Sequence, residues 1–464
     1  MVIIVENYRL CRDIPIEDGY DIVVAGGGPA GAAAAISAAR LGARVLLAEG
    51  TGCLGGMGTS GTVCAFDPMA NGERMLVGGF MQELVETLYE RGFLKPGISP
   101  DTWRLDYQKW TPFNPEGLKL VLDEKVMEAG VEVRFFTKVI DADASDGIVN
   151  GVVLSNVEGY SFVRAKTFID ATGDAVLSKL CGAQYYEAGR DTDRIMPATL
   201  TSVFANVDWS KAHLATENPE TVTQIEKEHA DGKIAQCDRH FVGISQIGKT
   251  IGYLNGGHIF GLNATNIKSL SEGMMTGRRV VRDCAYFLKK YAPDCRDIEL
   301  VSTGSLMGVR ESRRVIGEYE LGVDDYTARR QFHDQIGVFN KYIDIHPYDC
   351  SKEEYERFLH EFHDQNMKPG ECYGLPYGIL VPKGWRNLWV AGRCCSSDVQ
   401  MHGSLRVMPA ASMMGQAAGT AAVLSIKTGQ SGNELDTKEL VLALRKQNAY
   451  LPQTELKAEM TRGE

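Results

Sequence analysis

Residues 21–49 read DIVVAGGGPAGAAAAISAARLGARVLLAE, and this stretch decides the fold. Asp21–Ala25 is a β-branched apolar run of strand length. Gly26–Gly31 is a turn, and Ala30–Leu41 is a helical run of small residues stopped by Gly42. Ala43–Ala48 is a second apolar strand with Glu49 at its tip. A strand, a glycine turn, a helix and a second strand in this register make a β-α-β unit. The turn is a G-x-G-x-x-G: Gly26 allows the tight bend, Gly28 lets backbone approach a pyrophosphate, and Gly31 lets helix and strand pack closely. Pro29 and Ala30 open the helix, whose unpaired N–H groups and positive dipole end favour phosphate. Glu49 lies 18 residues past Gly31, where a carboxylate can hold ribose hydroxyls. A lone glycine motif is weak, because Gly-rich turns are common. With all four parts in register, an ordinary β-turn-α is the poorer reading.

Further along, strands are expected at Val131–Phe136, Val139–Asp143, Ile148–Ser155, Tyr160–Arg164 and Lys166–Asp170, the last ending in Ala171-Thr172-Gly173-Asp174. Residues 78–92 and Glu116–Ala129 have helical periodicity, and 93–114 is loop-like. From about 185 to 380 the pattern becomes mixed and more charged. A buried strand returns at Asn387–Ala391, and Ser404 onward is expected to be a loop leading into a long helix of small residues. A short amphipathic helix follows from Asn433, with a frayed end. The expected architecture is α/β. A discontinuous Rossmann-type domain (1–184 and 381–464) carries an inserted α+β substrate domain (185–380).

Composition sets limits. With 464 residues, 44% hydrophobic and 23% charged, the chain can build more than one core. A net charge of -11 argues against nucleic acid as the main partner. The eleven cysteines have no framework spacing and no C-x-x-C, so reduced thiols, no metal and a cytoplasmic setting are expected. The apolar start Met1–Val5 is too short for a signal peptide, and the apolar run near 407–426 is broken by Gln416, so no membrane span is expected.

Five segments carry a family resemblance: DIVVAGGGPAG with Glu49, GCLGGMGTSGTV at 52–63, MGVRESRRVIGEY at 307–319, FIDATGDA at 168–175, and LWVAGRCCSSDVQMHGSLRVMPAASMMGQAAGTAA at 388–422. Together they resemble the FAD-dependent oxidoreductases of the glutathione-reductase-like fold, in the branch near fumarate-reductase flavoproteins. The resemblance implies FAD as cofactor. It puts Ala171, Thr172, Gly173 and Asp174 near the FAD. The loop Gly55, Gly56, Met57 and Thr59 then lies beside the flavin ring, and Val139 presents backbone to the adenine. The segment containing Gly392, Arg393, Ser404, Arg406 and Met408 closes over the ring. A helix starting near Met408–Pro409 can point its positive end at the negative charge of reduced flavin. Many relatives have Gly-Asp where this chain has Gly392-Arg393, so the ribityl partner is open, and Arg393 could pair with phosphate instead. There is no second glycine motif on a strand–turn–helix unit, and no C-x-x-x-x-C pair, so nothing points to a bound nicotinamide.

At the substrate end, Arg310, Glu311, Arg313 and Arg314 either anchor an anionic substrate through bidentate contacts or form a structural ion-pair network. His402, just before the flavin-facing helix, and His258 are candidate proton acceptors; His402 could equally be a structural histidine, and a structural role fits His258 slightly better. Tyr377 fits packing better than the site, and Cys53 fits a buried small residue better than a flavin attachment point. The leading expectation is a two-electron enzyme in which a polar small molecule gives a hydride to flavin N5 and an unidentified acceptor reoxidises the flavin. The alternatives are an ene-reductase of an unsaturated acid and a non-catalytic binding protein. A homodimer is the base-rate expectation.

Overall fold

The computed structural model describes residues 8–214, 218–361 and 366–452; the Met1–Val5 start and the end of the tail lie outside them. Seven strands form the main sheet: β1 (Ile16–Ala25), β2 (Val45–Ala48), β3 (Glu132–Arg134), β4 (Lys138–Ser145), β5 (Ile148–Asn156), β6 (Gly159–Asp170) and β7 (Leu388–Val390). The order β3-β2-β1-β6 is parallel throughout. The free edge of β6 is shared: residues 159–163 pair antiparallel with 152–156 of β5, and Phe168–Asp170 pair in parallel with β7. Strand β7, more than 200 residues later, thus completes the sheet begun by β1.

Buried β1 reads as a continuous apolar run because both of its faces are covered. Ile22 and Val24 face a core shared with the helices, while Val23 and Ala25 face a second core with Val149, Val152 and Phe168. The helix side is built by α1 (Pro29–Arg40) and α3 (Met408–Thr428), with the short α2 (Val399–Leu405) between β7 and α3. Small residues let α1 and α3 meet at backbone distance: a Cβ on Gly415 would lie 2.0 Å from the Ala30 carbonyl oxygen, and one on Gly419 would lie 2.2 Å from that of Ala34. Gln416, buried within α3, accepts from the Phe80 N–H at 3.0 Å and so serves the first turn of the helix Phe80–Glu90.

Two expectations change. The strands expected at 160–164 and 166–170 are one strand, β6, because β1 pairs along its whole length with only one irregularity. Ser404 lies inside a helix rather than a loop, since Asp398 caps α2 by accepting from the Met401 N–H at 2.7 Å. The Asp344 backbone crosses this helix at Gly403, 3.0 Å from a would-be Cβ.

Residues between β6 and β7 build an antiparallel four-stranded sheet (Ser245–Gln246, Gly252–Leu254, Ser202–Ala205, Glu299–Thr303) and the 25-residue helix Ile267–Tyr291, around a separate core that includes Phe204, Leu254 and Phe287. Asn266 caps that helix through the N–H groups of Lys268 and Ser269. All eleven cysteines are free thiols. Among the described residues no helix is long and apolar enough to cross a membrane.

One ion-pair cluster ties the helical layer together. Glu83 takes both Arg40 of α1, at 2.7 and 2.8 Å, and Lys125 at 2.8 Å. Arg40, then Lys125, hold the Glu83 carboxyl down at about 2. A depressed carboxyl stabilises the fold above its unfolded pKa and loses that contribution as pH falls toward the folded value. Wild-type stability should therefore drop from pH 5 toward pH 2 more steeply than that of Glu83→Gln, as read from urea midpoints. Parallel curves would remove this role; the pair is partly exposed, so the effect is modest.

Candidate flavin site

The parallel strands finish in one row: Ala25 is level with Ala48 and Asp170, Ala48 with Arg134, and Asp170 with Val390. The segments that follow β1, β2, β6 and β7 leave the sheet just beyond that row, at the carboxyl edge where open α/β sheets bind ligands. Gly26 turns the chain at φ +92°, and its missing Cβ leaves room for the Ala171 carbonyl, which would be 2.7 Å away. A Cβ on Gly31 would meet the Gly26 oxygen at 1.8 Å, so turn and helix are locked together. Gly28 is different: no heavy atom lies within 4 Å of its would-be Cβ. Glu49 is buried, and its two carboxylate oxygens take the N–H groups of Gly27 at 2.6 Å and Thr51 at 2.7 Å. It therefore fixes the glycine turn to the next loop. Thr137, two residues before Val139 on β4, donates its N–H to the Glu49 carbonyl.

The loop Gly55–Thr59 docks on the same turn. The Gly55 N–H donates to Gly27 O at 2.9 Å, and a Cβ on Gly56 would lie 3.0 Å from Gly28 Cα. Gly58 sits against the Met408 sulfur at the start of α3, and Thr59 is buried with its hydroxyl on Leu54 O at 2.6 Å. Met57, within the same one-turn 3-10 helix, is half-buried. Gly392 lies between Ala30 and Ala411, at 3.1 and 3.7 Å from its would-be Cβ, so the starts of α1 and α3 come together. Neither start has a side-chain cap or an acidic residue in its first turn, and Met408–Ala411 are buried. Two buried helix N-termini with unserved N–H groups require a partner, and an anionic one suits both. The residues present fit FAD.

Other expected contacts have different uses. Arg393 donates to Gly173 O at 2.9 Å, Val309 O at 2.8 Å and the Asp174 carboxylate, so its guanidinium is spent on protein rather than on phosphate. Asp174 also accepts from Ser312 at 2.6 Å. Thr172 bonds the buried Asp170 at 2.7 Å, alongside Ala171. Ser404 is enclosed between Lys341 O and the Tyr373 hydroxyl. Tyr377 is a packing residue: its hydroxyl donates to Gly432 O and accepts from the Trp389 N–H. The Cys53 thiol lies 3.2 Å from the Ser60 hydroxyl.

These observations agree with what a sequence comparison finds. The family described as FAD dependent oxidoreductase matches residues 21–444. The chain belongs to the FAD-dependent oxidoreductase family. It is an enzyme of that family, and FAD is its cofactor. No curated protein matches the chain. Solved structures align along most of it. They include a geranylgeranyl bacteriochlorophyll reductase-like protein from Thermoplasma acidophilum (13% identity, 94% of this chain and 85% of that one, TM-score 0.49). A p-nitrophenol 4-monooxygenase from Pseudomonas putida DLL-E4 is 13% identical over 93% of this chain and 85% of that one, with a TM-score of 0.46. The flavin-dependent brominase Bmp2 is 13% identical over 93% and 83%, with a TM-score of 0.45. At these identities and scores none bears on the substrate.

Next to the start of α3, this oxidoreductase gathers a buried polar cluster. Arg406, just before α3, donates to Asp344 O at 2.8 Å. Asp344 pairs with His346 at 3.3 Å, and His346 Nδ1 lies 2.9 Å from His258 Nε2. His258 pairs across strands with Thr199, whose hydroxyl accepts from Arg310 at 3.0 Å; Arg310 also donates to Pro197 O at 2.7 Å. His402, fully buried on α2, contacts the Arg310 carbonyl through Nε2 at 3.0 Å, which makes Nε2 the protonated nitrogen and leaves Nδ1 with a bare lone pair. Burial, then Arg314 and Arg406, hold this imidazole well below its usual range, so it is neutral.

The arginine cluster divides. Arg313 donates to Asp174 O and lies over the Tyr185 ring. Arg314 pairs with Asp191 and donates to Ser397 O. Glu311 neutralises neither by direct contact, since it accepts from the Met196 N–H. Arg310 has no carboxylate within ion-pair distance among the described residues; burial, then Arg406, lower it to about 9, so it keeps its charge at neutral pH. Sequence reasoning passed over His240, His346, Asp67 and Lys341. The only local trace of the first two is a repeated Asp-x-His, at 238–240 and 344–346.

Proposed function

We propose that this enzyme oxidises a small carboxylate-bearing substrate at a C–H bond next to oxygen or nitrogen. The observation that carries the reading is Arg310, a charged guanidinium buried beside the start of α3 with only neutral partners. A buried unpaired charge is costly, and a bound carboxylate offsets that cost through a charge-assisted contact. Bound FAD supplies a two-electron acceptor at this place. The bare Nδ1 of neutral His402 takes the hydroxyl or amine proton of the substrate, while its Nε2–H stays on the Arg310 carbonyl and fixes the ring. The uncapped start of α3 favours negative charge on its ligand. Glu49 and Gly28 hold the ribose–pyrophosphate end, with Val139 beside the adenine. Residues 185–380 form the substrate-side domain.

The test is anaerobic titration of the oxidised enzyme with hydroxy acids, amino acids, and their neutral alcohol, amine and amide counterparts. Bleaching of the flavin bands by the acids alone is expected. Equal bleaching by the neutral compounds would remove the clamp. Reoxidation of chemically reduced enzyme by an unsaturated acid, with no bleaching by any saturated one, would reverse the direction toward the fumarate-reductase-like reading. Arg310→Met should keep FAD and raise the acid concentration for half-bleaching by at least about 30-fold, from the roughly 2–5 kcal/mol that truncating a buried charged contact costs.

A further inference from the structure

We propose that His240, His258 and His346 bind a first-row divalent transition-metal ion of the Zn2+ class. Their ligand nitrogens all lie within 4.8 Å of one another. They come from three separate segments, so no local turn explains the convergence. The His240 and His258 rings lie parallel with centroids 5.3 Å apart, and His346 stands edge-on to both, at 5.2 and 5.0 Å.

The outer hydrogen bonds are those of a metal site. Asp238 lies 3.2 Å from His258 Nδ1 and is itself fixed by the His258 backbone N–H at 2.8 Å. Asp344 lies 3.3 Å from His346 Nε2 and is fixed by Arg406. The carboxylates behind His258 and His346 draw those imidazole protons to the outer side. With the protons on the carboxylate side, the two inner nitrogens, 2.9 Å apart, face each other as lone pairs, an arrangement that a shared cation stabilises. Three neutral imidazoles suit Zn2+ and its neighbours and not the oxygen-seeking Mg2+ or Ca2+. Asp344 also pairs with Arg406. Three protein ligands leave a coordination position for water or for an acidic ligand. The inference stands on the imidazoles and their carboxylates, independently of the substrate reading.

The full-length FAD-loaded protein is stripped with a chelator and dialysed against Zn2+, then against Mg2+, and bound metal is counted by mass spectrometry. About one Zn2+ per chain and no retained Mg2+ are expected. His346→Gln should abolish tight uptake, and Asp238→Asn should weaken it roughly 10- to 100-fold, the usual effect of losing an outer carboxylate. Flavin absorbance reports that each variant is folded. A wild type that retains no Zn2+ overturns the site outright, and so does equal uptake by wild type and both variants. Should one variant fail to fold, the other and the wild type still decide.

Discussion

Gly415→Ala should cripple the fold. The added methyl would lie 2.0 Å from the Ala30 carbonyl oxygen, and its nearest neighbours are all backbone. No rotamer change relieves such a contact, so α1 and α3 must move apart along the seam that joins the two ends of the chain. Overpacking a core costs about 1–3 kcal/mol where side chains can yield. Here only backbone can yield, so the loss should exceed about 3 kcal/mol. Urea unfolding of the FAD-free protein measures it directly. A change below about 0.5 kcal/mol, the usual range for a surface substitution, would mean that the helices are not in backbone contact.

Lys341→Met should be nearly as damaging. Lys341 and Asp67 form a buried ion pair at 2.5 Å, and the ammonium also sits 3.6 Å from the centroid of the Tyr342 ring. Burial pushes the Asp67 carboxyl up from its ordinary range, and the Lys341 charge works against that shift. Removing the ammonium leaves a buried carboxylate alone, a loss of about 3–5 kcal/mol, whereas Asp67→Asn/Lys341→Met should recover much of it. The sign of the pH dependence follows. With its folded pKa raised, Asp67 of the single variant is tolerated as the neutral acid at low pH and penalised as pH rises. The deficit of Lys341→Met should be smaller at pH 5 than at pH 8. A deficit independent of pH, or a double variant no better than the single one, would show that the pair is not the cause.

The β-α-β start was legible almost residue by residue because its determinants are local. The β-branched run, the glycine turn and the small-residue helix each constrain neighbours in sequence; α1 and the ends of β1 and β2 lie where they were expected, while β1 starts earlier, at Ile16. The bend at Gly26 and the close packing at Gly31 could be assigned in advance for the same reason. Arg393 could not: a guanidinium just beyond the last strand suits phosphate, and only the fold brings Gly173, Asp174 and Val309 to it. Ser404 was read as loop, while the Asp398 cap that starts α2 lies six residues earlier. His240, His258 and His346 are far apart in the chain, and no periodicity links them; their meeting is a product of the inserted segment's own folding. Lys341 and Asp67 likewise pair across 274 residues.

The most direct test of the central claim, that FAD lies across the glycine turn at the carboxyl edge of the sheet, is the FAD content of Gly28→Val beside wild type. A Cβ on Gly28 would meet no protein atom within 4 Å, so the FAD-free variant should melt as the wild type does. Wild type should hold about one FAD per chain, by absorbance and after release, and the variant should hold almost none. A folded variant that binds FAD like wild type, or a folded wild type that cannot be loaded with FAD, would contradict the account.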